Sequence, residues 1–217
     1  MPEYKTEPLV VSVVSGILPE GERNRRVALT SFAAARSPRP EVPQREVVCY
    51  ECGRNTLVPS AALSGKCTHC HAHLRMTDVE LRPGAQRLTV RTLGDVTLLA
   101  DAVLSQLSIV CRDCTLNGRG SGSFRCSGSM RVNYSNRIEG SVQAARLIVP
   151  RGVELILTQG ATVEYLEVYG RVTGRIVARA GVNLHRGAAL FGDCYSPALS
   201  LASGATHRGE WHVVKPE

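Results

Sequence analysis

Leu166-Glu-Val-Tyr-Gly170-Arg-Val-Thr-Gly174-Arg-Ile-Val-Ala-Arg-Ala-Gly-Val182-Asn-Leu184 is the stretch on which the fold turns. Apolar residues alternate with polar ones over short runs, and glycine closes each run. The same phrase returns on both sides of it, at Gly122-Ser-Phe, Gly140-Ser-Val, Gly174-Arg-Ile, Gly192-Asp-Cys and Gly209-Glu-Trp, with gaps of 18, 34, 18 and 17 residues. Leu157 occupies the mark inside the double gap. Each mark leads into an alternating apolar run: Met130-Arg-Val132, Leu147-Ile-Val149, Val163 to Val168, Val182-Asn-Leu184 and Ala198 to Leu201. A fixed period near this length, with short strands and glycine at the corners, specifies an all-β solenoid. Counting back from Gly122 carries the phase to Ser105 and Leu88 without glycine, and gives about seven rungs between Leu88 and Gly209. At the interstrand spacing of a sheet such a rod is on the order of 30 Å long.

Composition agrees with a thin interior. Of 217 residues only 5% are aromatic, while Val, Leu, Ala and Gly are plentiful. The formal charge of +7 falls mostly on residues 83–217, which carry 15 basic against 10 acidic residues as scattered arginines. That pattern reads as a solvated face and argues against a nucleic-acid footprint. No run approaches the roughly 18 apolar residues of a membrane span. The start, Met1-Pro-Glu-Tyr-Lys-Thr-Glu, has no basic n-region, so a cytoplasmic protein is expected. In that setting the eight cysteines are metal ligands or small core residues rather than disulfides.

The chain divides into four segments. Residues 1–46 form a flexible N-terminal segment, with an apolar run from Leu9 to Leu18 that could lie on a membrane surface, form a strand or order on a partner. A proline cluster from Ser37 to Pro43 reads as a linker. Residues 47–75 hold the most specific motif, Cys49-Tyr-Glu-Cys52-Gly53 and Cys67-Thr-His-Cys70. Two Cys-x-x-Cys turns at this spacing place four thiolates around one tetrahedral zinc ion, which stabilises a module too small to build its own core. Four thiolates fill the zinc sphere, so the ion is structural, and His69, His71 and His73 are exposed neighbours. Residues 76–87, with a turn at Pro83-Gly84, link the ribbon to a solenoid over 88–214. Cys111-Arg-Asp-Cys114, Cys126 and Cys194 lack a second paired knuckle and are expected to pack in the core like valine.

Catalytic readings find little support. A solenoid of hexapeptide acyltransferase type would use His185 or His207 as general base beside an orienting carboxylate, within a loop-built pocket. The rungs here have no long insertion, and their period drifts between 17 and 18 residues. Asn117-Gly-Arg-Gly-Ser-Gly-Ser123 is glycine-rich but lacks the lysine of a phosphate loop. The chain is therefore expected to be neither an enzyme nor a nucleotide-driven switch. One non-catalytic reading is an adaptor whose ribbon binds nucleic acid or a protein through Tyr50, Arg54, Lys66 and Arg75, with the solenoid as a rigid arm.

With the rungs in register, residues 88–211 resemble the bactofilins, polymer-forming bacterial cytoskeletal proteins. The resemblance rests on the stretch from Leu166 to Leu184 and on Gly187-Ala-Ala-Leu190-Phe-Gly192-Asp-Cys-Tyr-Ser-Pro-Ala-Leu-Ser-Leu201-Ala-Ser-Gly204-Ala205. The segment from Cys52 to Cys70 is similar to the front module of zinc-ribbon members of that family. The resemblance implies a right-handed, three-faced parallel β-helix whose units join end to end into nonpolar filaments without nucleotide. It also implies self as the main partner, and a scaffolding role in cell shape or in localising envelope proteins, in the cytoplasm and often at the membrane. The C-terminal residues Leu199, Leu201, His207, Trp211 and Val213 are then the candidate polymerisation end, the alternative being that Trp211 folds over that end as a cap. His207 departs from the family, which favours an apolar residue there. An imidazole at that point would weaken the end contact or make it pH-dependent.

Overall fold

A computed structural model describes residues 42–85 and 88–215. The apolar run Leu9–Leu18 and the proline-rich segment up to Pro40 lie outside the described residues. Every described element is a β-strand, and two modules succeed one another along the chain.

The ribbon consists of two antiparallel hairpins. Gln44–Val48 pairs with Asn55–Pro59, and Ser64–Lys66 pairs with His73–Arg75. Each hairpin turn carries one Cys-x-x-Cys. Cys49, Val58, Cys67, Leu74 and Met76 make a small core of their own.

The rest is a parallel solenoid with three faces. Eight strands stack on the first face: Val79–Leu81, Val96–Leu98, Cys114–Leu116, then residues 130–132, 147–149, 166–168 and 182–184, and finally Leu199–Leu201. The second face begins with Thr89–Arg91 and ends with Trp211–His212. The third begins at Val103–Leu104 and ends with Thr206–Arg208. The solenoid thus starts earlier than phase alone predicts. Val79–Leu81, inside the segment read as a linker, is its first strand, which brings the turns to eight instead of seven.

Alternation decides which side chains point inward. Leu81, Leu98, Leu116, Val132, Val149, Val168 and Leu184 form one inner column of the first face, and each is buried. On the third face Leu155, Val172, Leu190 and His207 stand in register. Branched aliphatic residues suit such columns because each packs on its like in the turns above and below.

The recurring glycines form a column at one corner. Gly122, Gly174, Gly192 and Gly209 have φ of 145°, 140°, 122° and 144°, a region that disfavours other residues. They also touch along the axis: a Cβ on Gly192 would lie 2.4 Å from the Gly174 carbonyl oxygen, and one on Gly209 would lie 2.2 Å from that of Gly192. Leu157, at the mark without glycine, lies in the same column beneath Gly174. Spacing in the sequence thus reflects one corner where, at the glycine marks, a Cβ would meet the backbone of the turn beneath.

Among the described residues the third face contains one break. No strand ladder joins Arg119–Gly120 to Asn136–Ile138. The buried Asn136 amide fills the gap, its Oδ1 accepting from the Gly120 N–H at 3.1 Å and its Nδ2 donating to the Gly118 carbonyl at 3.0 Å. Buried amides are tolerated where both ends are bonded in this way.

Candidate metal centre and the two ends of the solenoid

The two knuckles are built alike. The Gly53 N–H donates to the Cys49 carbonyl at 2.9 Å, and the His71 N–H donates to the Cys67 carbonyl at 3.0 Å. Each donor residue has positive φ, 70° for Gly53 and 58° for His71. Glu51 N–H and His69 N–H face the Cys49 and Cys67 sulfurs, both at 3.4 Å.

Cys49, Cys52, Cys67 and Cys70 converge, with all four sulfurs within 4.8 Å of one another. The Cys49–Cys70 and Cys52–Cys67 sulfurs are each 3.7 Å apart. A tetrahedral zinc ion at about 2.3 Å from each sulfur requires edges of about 3.8 Å, so the donor set fits. Backbone N–H groups of Cys70 and His69 hold the Cys67 thiol down to about 6, while Cys70, despite the Ala72 N–H, is pushed up by burial and by sharing with Cys52. His69, His71 and His73 are exposed, and His69 Nε2 lies 3.1 Å from the Asn55 carbonyl, away from the sulfurs.

The ribbon rests on the first turn of the solenoid. Leu93 packs against the ribbon core, and its N–H donates to the Arg75 carbonyl at 2.7 Å. Thr92, fully buried, donates through Oγ1 to the Thr77 carbonyl at 2.7 Å. Arg91 pairs with Glu51 across the same boundary. Of the residues considered for an adaptor surface, Tyr50 is half-buried, and its hydroxyl donates to the His73 carbonyl at 2.6 Å. Arg54, Lys66 and Arg75 are exposed.

At the other end all five candidate residues lie on or just beyond the last turn. Leu199 and Leu201 belong to its first face, His207 to its third and Trp211 to its second, with Val213 just after. Leu201 is 52% exposed, Trp211 44% and Val213 68%. These strands pair only with the turn before them, so among the described residues their outer edges have no ladder partner. Trp211 folds back, its Nε1 donating to Ser196 at 3.1 Å to Oγ and 3.2 Å to the carbonyl. His207 occupies an inner position above Leu190, with Nε2 3.1 Å from the Gly192 carbonyl. His185 stacks on Tyr169 at 3.8 Å, and no carboxylate pairs with it or with His207 among the described residues.

Three more cysteines come together where no site was expected. Cys111, Cys114 and Cys126 are all buried as anticipated, but their sulfurs lie within 4.8 Å of one another. Hydrogen bonds from the Cys114 and Cys126 thiols hold Cys111 down to about 5, while sharing with Cys111 pushes the other two up. The register brings them together: Cys126 comes one turn after Cys111, directly above it on the second face. Comparison with family models, with curated proteins and with solved structures finds no match for this chain.

Proposed function

We propose that this protein is a nucleotide-independent scaffold that self-associates through the open last turn of its solenoid, with a zinc ribbon as a structural module on the first. The observation that carries this reading is the last turn, where Leu201, Trp211 and Val213 are exposed beside strand edges that have no ladder partner among the described residues. Such an edge is a template for another chain, and the best-matched template is a second copy with the same spacing and the same inner columns.

Geometry constrains the contact. The ribbon occupies the first turn, so a head-to-tail stack would have to displace it. Two last turns meeting across a two-fold axis need no such displacement. That operation reverses the sense in which strands circulate, so the edges at the junction pair antiparallel. One contact of this kind gives pairs. A second isologous contact at the ribbon-bearing end would extend pairs into a filament without polarity, as the bactofilin resemblance implies. The zinc ion would be held by Cys49, Cys52, Cys67 and Cys70, and its contribution is to tie the two hairpins together. No step of this assembly requires catalysis. A membrane surface or envelope protein as further partner rests on the resemblance and on residues outside those described.

The test is electron microscopy and light scattering of the purified chain without nucleotide, beside Trp211→Arg. Filaments or pairs are expected for the parent protein, and monomers for the variant. Monomeric parent protein across the micromolar range would overturn the reading.

A further inference from the structure

We propose that Cys111, Cys114 and Cys126 form a second metal site, a buried trithiolate inside the solenoid that takes one thiophilic d10 metal ion, monovalent copper in preference to zinc. Cys111 and Cys114 flank one corner, and both are inner residues of the strands that meet there. Cys126 stacks on Cys111 in the next turn, with sulfurs 3.7 Å apart, and Met130 stacks on Cys114. Three sulfurs at about 2.3 Å from a central ion would be about 4.0 Å apart, close to the spacing the fold already imposes.

The chemistry of the surroundings selects the ion. All three cysteines are at most 5% exposed, and the position above Cys114 is taken by the fully buried Met130, not by a hard ligand. The nearest carboxylate, Asp113, is turned away: its Oδ1 accepts from the Ser129 N–H at 2.6 Å and from the Ser129 hydroxyl at 2.8 Å. A donor set of sulfur alone, without a hard ligand or an open position for water, suits monovalent copper better than zinc, which seeks four ligands. Cys194 provides an internal contrast. It too is an inner residue, but it stands alone, with its sulfur 3.8 Å from the Ser196 hydroxyl. A cysteine serving only as a small core residue needs no partners, and this one has none among the described cysteines.

Loading releases one proton for each thiol that ionises and changes no oxidation state. Because the site is enclosed, the ion enters as the turns close, and so binding is coupled to folding.

The experiment compares the full chain with Cys111→Val/Cys114→Val/Cys126→Ala, whose replacements suit inner positions. Both are refolded without oxygen in zinc(II) or in copper(I) held by a competing chelator, and metal per chain is counted by native mass spectrometry. Both proteins keep the ribbon cysteines, so the difference between them isolates the new site. One additional copper in the parent chain is expected. One additional zinc instead would place the divalent member of the class there and still support the site. Equal metal content in both arms would overturn the proposal, as would a Cys111–Cys126 disulfide in the protein as isolated. If the triple variant does not fold, Cys114→Ala alone decides: the additional copper must fall below detection at the same chelator concentration, and its retention would overturn the trithiolate.

Discussion

The two ends of the solenoid are built from the same repeat and finished differently. In one inner column Leu81 is 2% exposed at the first turn, and Leu201 is 52% exposed at the last. The repeat cannot account for this, since both are leucines at the same ladder position. The difference lies in the chain beyond the ladder at each end. At the first turn Ala85 packs against the core and the ribbon meets Leu93 and Thr92, whereas at the last turn, among the described residues, Trp211 folds over Ser196. A solenoid does not close itself; a non-repeating module has to close it.

Removing the ribbon should break this contrast most severely. Cys49→Ser, or stripping of bound metal by a chelator, should cost on the order of 5 kcal/mol by unfolding the ribbon. Metal analysis and chemical denaturation measure it, and light scattering should register new association through the uncovered first turn. Next, the same truncation at the two ends should give unequal losses. Leu81→Ala should cost about 3 kcal/mol and Leu201→Ala less than about 1 kcal/mol, as read from denaturation midpoints at constant slope. Equal losses would mean that the last turn is covered in solution. Trp211→Arg should then lower stability by about 1 kcal/mol while abolishing pairs, so that its effect on sedimentation exceeds its effect on melting. The smallest change is His207→Leu, which continues the column of Leu155, Val172 and Leu190. It should tighten self-association roughly threefold to tenfold in a dilution series.

Much of the fold was legible because the corner glycines report a steric fact. Where Gly192 meets Gly174 no other side chain fits, so the period survives in the sequence. The four ribbon cysteines were legible for a similar reason, since a tight turn fixes their spacing. Val79–Leu81 was not, because a three-residue strand carries too little alternation, and the Pro83-Gly84 turn after it reads as a linker. In the early turns the phase runs without glycine, and Gln106 instead takes φ of 58° near the corner. The grouping of Cys111, Cys114 and Cys126 depends on which residue lies above which, and one-turn spacings range from 15 residues at Cys111–Cys126 to 19 at Val142–Ala161. That drift hides lateral neighbours from a fixed-period reading. Asn136 escaped for the same reason, since its partners belong to the turn beneath.

The break bridged by Asn136 has a mechanical meaning. Ladder hydrogen bonds run along the axis of a solenoid, so a pull between its ends loads all three faces together. At the step from residues 119–132 to 136–149 the third face offers only side chains, the Asn136 amide and the Ser121 hydroxyl that accepts from the Glu139 N–H at 3.0 Å, and the ladder beside it shifts register between Cys126 and Ser129. Tension applied along the solenoid would concentrate at that step and part it there, separating a ribbon-bearing head from the regular turns behind it.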